Sequence, residues 1–206
     1  MWRGKLRSLL LLLLIPAFQL GATDLSIAQL RADESERVPR TLELWDVGFD
    51  MPIKILAVRN LQKKTHWMRD LEIEIKNVSP KPIYGLYAHI IMPDDRGPGG
   101  NPVSVNMTYG RMEMMRPSVR PSANDTPIAS GETFKLRVDE LWWQGYEGHL
   151  ASGNVAEQAT YRVRMSILAI NFGDGTGYTR GGMPYPPDPL LKSRPHRFLR
   201  IPLTVE

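Results

Sequence analysis

Residues 71–92, LEIEIKNVSPKPIYGLYAHIIM, decide the fold. From Leu71 to Lys76 apolar and charged residues alternate without exception, which is the period-2 pattern of a strand with one dry and one wet face. On that pattern Glu72 and Glu74 point outward beside Lys76. Pro80 and Pro82 then break the strand, because proline cannot donate to a ladder and sets the backbone for a turn. Ile83 to Met92 is apolar on both faces. Two such strands joined at a proline corner imply a sheet packed inside an all-β domain.

The ends of the chain bound the compartment. Arg3, Lys5 and Arg7 precede the unbroken apolar run Leu9 to Ile15, and small residues follow at Ala22, Ser26 and Ala28. This is the layout of an export signal over residues 1–28, with cleavage after Ala22 or Ala28. The run stops at Pro16, which makes it short for a membrane span, so the mature protein is expected to carry none; an uncleaved anchor is the alternative. Cleavage after Ala28 leaves 178 of the 206 residues and takes the formal charge from +4 to +2. A chain so near neutrality is a poor match for nucleic acid or an anionic membrane. It has no cysteine, which excludes thiol catalysis and zinc–thiolate sites and leaves stability to the core. The expected location is periplasmic or secreted.

Residues 29–40 are charged and poor in apolar side chains, the texture of a flexible leader. From 41 to 206 a single domain is expected. Strands are predicted at Leu42–Trp45, Ile53–Val58, Val103–Tyr109, Phe134–Val138, Tyr161–Phe172 and Leu199–Val205, besides the central pair. Residues 93–102, 110–130 and 181–195 are rich in glycine or proline and read as irregular loops. Leu141 to Leu150 is the one candidate helix, weakened by Gly145 and Gly148. Residues 171–178, NFGDGTGY, read as a tight hairpin in which Asp174 and Gly175 supply positive φ angles. Seven to nine short strands without a repeating βα unit give a two-sheet antiparallel sandwich.

Four strings carry a resemblance: RDLEIEIKNVSPKPIY from Arg69, ASGETFKLRV from Ala129, WQGYE from Trp143 and INFGDGTGY from Ile170. Together they resemble the immunoglobulin-like or fibronectin-like β-sandwich domains of exported bacterial proteins. The resemblance spans residues 52–187 and implies a fold and a compartment. It brings no catalytic residue with it.

Several constellations could carry chemistry. Trp142, Trp143 and Tyr146 could stack on sugar rings, because flat side chains with a polar edge match pyranose faces; packing over the open end of the sandwich competes with that reading. Met107, Met112, Met114 and Met115 could hold a soft metal, but core methionines on a strand explain Met112 and Met114 equally well. Asp94, Asp95 and Asp174 sit in turns that could offer oxygens to Ca²⁺, and turn chemistry alone accounts for them. His66, His89, His149 and His196 fit no metal or protease motif, and His89 reads as a hydrogen-bonded strand histidine. Asn106 and Asn124 begin glycosylation triplets. No nucleophile elbow, zinc-protease helix or phosphate loop occurs, so no cofactor and no metal is implied.

The reading that follows is a non-catalytic extracytoplasmic module that binds protein or glycan through its long loops, where function on such scaffolds concentrates. A hydrolase using Glu140 and Glu147 beside the tryptophans is the enzymatic alternative. A purely structural envelope component is the third.

Overall fold

The computed structural model describes residues 37–45, 51–153 and 155–187. Those from Val38 onward belong to one compact unit. The expected signal peptide, most of the leader, His196 and the expected last strand at Leu199–Val205 lie outside the described residues.

The alternating segments form strands. In chain order they are β1 (Thr41–Trp45), β2 (Ile53–Arg59), a single-turn helix α1 (Trp67–Asp70), β3 (Glu72–Asn77), β4 (Gly85–Arg96), β5 (Pro102–Tyr109) and β6 (Thr133–Arg137). The helix α2 (Glu140–Gly153) follows, then β7 (Arg162–Asn171), β8 (Gly177–Thr179) and β9 (Met183–Tyr185). One sheet runs β5-β4-β7-β8-β9 with β1 also on β7, and the other runs β2-β3-β6. The class is therefore all-β. Every pair is antiparallel except β1 with β7, where Leu42 lies opposite Val163 and Leu44 opposite Met165 in parallel register. The wholly antiparallel arrangement is corrected on that point, because β1 reaches β7 by a long crossover and not by a hairpin.

The two sheets bury their inner faces in one cluster. Ile73, Ile75 and Leu136 come from the smaller sheet, and Leu86, Ile90, Val105, Met107, Met165 and Ile167 from the larger. Trp67 and Met68, on α1, fill the same core. Burial on this scale substitutes for the disulfides the chain lacks, because apolar area removed from water is the main favourable term in folding.

Sequence pattern and structure part at several places. β4 does not stop at Met92 but continues through Pro93 to Arg96, so the irregular loop begins later. Its pairing with β7 ends at Ile91, and its register with β5 shifts between Met92 and Arg96. Pro93 therefore sits where no ladder bond is lost. The excursion after Gly110 is not all surface: a 3₁₀ turn at Met112–Met115, not a strand, drives Met114 to 0% exposure while Met112 stays out. Gly85 makes room for it, since a Cβ there would lie 2.7 Å from Met114 Cβ. The described end of the leader is also built in, with Val38 and Arg40 buried. Arg40 donates to the carbonyls of Leu61, Lys63 and Glu157, and its guanidinium carbon lies 4.7 Å from the Trp67 ring centroid. Burial depresses its pKa from the ordinary value.

Glu72 and Glu74 do face outward from β3, but Glu72 is not solvated. It is 6% exposed, enclosed by Arg59 at 3.3 Å, Lys135 at 2.9 Å and Arg137 at 2.5 Å. β2 and β6 place these cations directly across or diagonal to it, where opposite charges on one sheet face attract. Hydrogen bonds from Lys135 and Arg137 hold its carboxyl at about 2, against an ordinary 4.5. A depressed carboxylate stabilises the fold fully above its unfolded value and loses that contribution as pH falls toward the folded one. Glu72→Gln is thus expected to cost about 1–2 kcal/mol at neutral pH, after screening at the exposed cations is allowed for. Urea midpoints of the two proteins should converge between pH 4.5 and pH 2; a gap that holds constant over that range would contradict the assignment.

Candidate functional site

The aromatic cluster picked out by sequence sits on α2 and does not form one platform. Trp143, Tyr146 and Leu150 recur at helical spacing and turn inward, so Trp142 and Leu141 are left outside. Tyr146 is buried: its ring meets Trp67 edge-on at 6.0 Å and its hydroxyl pairs with Thr160 at 3.1 Å. Desolvation pushes that hydroxyl up to about 12. Tyr146 is thereby corrected from a ligand contact to a core residue. Trp143 is half-buried under the Arg69 guanidinium, and Trp142, 37% exposed, is the ring of the three most open to a ligand.

The other candidates are engaged in the fold. His66 pairs with Glu147 at 2.9 Å and His149 with Asp95 at 3.1 Å, which fasten α2 from both sides. Glu140 accepts a hydrogen bond from Gln144. Glu140 and Glu147 stand about 10 Å apart along the helix axis at 1.5 Å per residue. Asp94 is bound by Arg162. His89 shares the outer face of β4 with Tyr87, whose hydroxyl is 3.4 Å away, and burial holds its pKa below the ordinary value. Asn106 is buried, while Asn124 is exposed in a turn. Among the described residues no group of three or more His, Asp or Glu side chains gathers as a metal site would require, and no helix is long and apolar enough to cross a membrane.

A different site emerges where the β3–β4 corner meets the β7–β8 hairpin. Two buried asparagines build it. The Asn77 amide donates to the carbonyls of Lys81, Ile128 and Ala129, and its oxygen accepts from the backbone and hydroxyl of Ser79. Asn171 does the same for the other loop, donating to Arg116 and Val119 and accepting from the Gly173 backbone. The hairpin closes with Phe172 N–H on the Thr176 carbonyl. Its positive φ angles fall on Gly173 and Gly175, at 77° and 91°, and not on Asp174. At Gly177 a Cβ would lie 2.0 Å from the Ile170 carbonyl, so only glycine fits.

Lys81 joins the loops. Its ammonium donates to Asp174 at 2.7 Å and Thr176 at 2.9 Å and lies 5.5 Å from the Phe172 ring centroid. This pairing holds the Asp174 carboxyl well below the usual carboxylate range. Between the loops, the start of β2 and β9 lies an open groove of about 470 Å³, within the range of ordinary ligand clefts. Val78, Pro80, Tyr178, Pro184 and Tyr185 line it with exposed surface, and the buried Met51, Pro52 and Phe172 back it. By residue order alone these segments read as a proline corner, a hairpin and an irregular loop. The signal was present in KPIY and NFGDGTGY, but nothing in either string says that it meets the other.

No family model, curated protein or solved structure matches the chain. Asn171→Ala and Asn77→Ala each strand backbone groups inside the protein, and each is expected to lower unfolding free energy by about 2–3 kcal/mol in urea titrations. Trp142→Ala should shift it by no more than about 0.5 kcal/mol; equal losses in all three would refute the division between buried pins and exposed ring.

Proposed function

We propose that the chain is an exported, non-catalytic interaction module on an immunoglobulin-like sandwich, and that it holds its partner in the groove between the proline corner and the hairpin. The observation that carries this reading is the groove itself, about 470 Å³ of open, largely apolar space rimmed by loops that two buried asparagines keep rigid. Rigid loops at one end of a β scaffold suit recognition, since little conformational freedom is lost on binding. The N-terminal basic, apolar and small-residue pattern supports export. The engaged state of Glu147 and the inward turn of Tyr146 weigh against a sugar-cleaving site on α2.

Photocrosslinking tests the reading. Val78, 51% exposed at the groove, is replaced by a benzophenone amino acid in cells that export the protein, and Leu141 is replaced in parallel. Leu141 follows β6 at the end opposite Thr133, which pairs with Lys76 near the groove, so it samples a remote surface. A discrete adduct from position 78 and none from 141 is expected. Adducts from neither position, or only from 141, would end the proposal.

A further inference from the structure

Resting on the reading of the groove as the contact surface, we infer that its occupant is an acidic, proline-containing polypeptide segment held extended in polyproline conformation. The lining argues for the ring chemistry. Pro80 and Pro184 together with Tyr178 and Tyr185 keep exposed surface on one open groove, backed by the buried Pro52 and Phe172; such a surface is the kind on which proline-rich segments dock, and a segment already in polyproline form gives up little entropy when it binds. A sugar would instead need several hydrogen-bonding groups with capacity to spare. Here the charged and hydroxyl groups of the two loops are turned on one another: Lys81 holds Asp174 and Thr176, Thr176 donates to Asp174, and the Ser79 hydroxyl is shared between Asn77 and the Lys81 carbonyl, which leaves the tyrosine hydroxyls as the polar groups facing the groove.

The acidity follows from an independent feature. Pro52 and Val78 are joined by a backbone hydrogen bond of 2.9 Å at the groove's edge. One step along the same outward face, Lys54 and Lys76 lie directly opposite each other on β2 and β3. Like charges so placed destabilise a sheet. Farther along that face Glu72 and Glu74 are taken by Arg59, Lys135 and Arg137, and among the described residues neither Lys54 nor Lys76 has an ion-pair partner. Two uncompensated lysines continuing an apolar, proline-lined groove complement a ligand whose proline stretch runs into carboxylates.

Fluorescence anisotropy with the full chain tests this through three labelled peptides. One alternates prolines with aspartates and glutamates, the second carries lysines in place of its acids, and the third keeps the acids but has glycine for proline. The acidic proline peptide is expected to bind at least about tenfold more tightly than either control, and more weakly as salt rises. Lys54→Gln with Lys76→Gln should cut that affinity about tenfold while the urea midpoint stays the same or rises, since a repulsion is removed. Val78→Asp should abolish binding without altering far-ultraviolet circular dichroism. Equal binding of a control, indifference to the lysine substitutions, or binding of none of the peptides would overturn the inference. If none binds and position 78 still crosslinks to a partner, the occupant's chemistry is wrong and the groove stands; if neither occurs, both fall.

Discussion

Two amide side chains, Asn77 and Asn171, hold the loop end of this protein together. Each sits at the last position of a strand with no exposure to solvent, and each satisfies backbone groups that a loop would otherwise leave without partners. An unpaired polar group in the interior costs more than a typical hydrogen bond contributes. The corner and the hairpin are therefore not free to drift. Everything at the groove depends on that: its two loops keep their places, and Lys81 stays over Phe172, because the backbone beneath them is fixed by groups no water can reach.

The outward face of the smaller sheet shows how the same strands carry a second kind of information. Toward one end, acids and bases interlock around Glu72 and neutralise one another. Toward the groove, Lys54 and Lys76 stand together. A sheet optimised only for stability would scatter these charges. Their segregation puts the uncompensated charge next to the apolar opening.

Much of the architecture could be read from residue order. The strict alternation of Leu71 to Lys76 placed β3 and its outward glutamates, similar alternation placed β6 and β7, and apolar clusters between turn residues placed β1 and β2. The stretch Leu141 to Leu150 marked α2, the longest helix among the described residues. Reading failed where a remote contact overrides a local preference. Pro93 forbids a paired strand centre but not an unpaired continuation, Met114 turns inward because Gly85 leaves a space for it, and Glu72 is dry because cations from both neighbouring strands cover it. The groove was invisible for the same reason. Periodicity reports which face of a segment is wet, and it is silent on which segments, tens of residues apart, will share a wall.

The parallel pairing of β1 with β7 has a temporal meaning. Glu43 and Arg164, which bond across it, are 121 residues apart, and β7 is the only described strand on which β1 lies. During synthesis β1 therefore stays without its partner until the residues up to β7 have been made. Hairpins such as β4–β5 can close at once, whereas closure of so long a loop is slow. An early segment of the described chain is thus a late arrival in its sheet, docking only once β7, itself framed by β4, is in place.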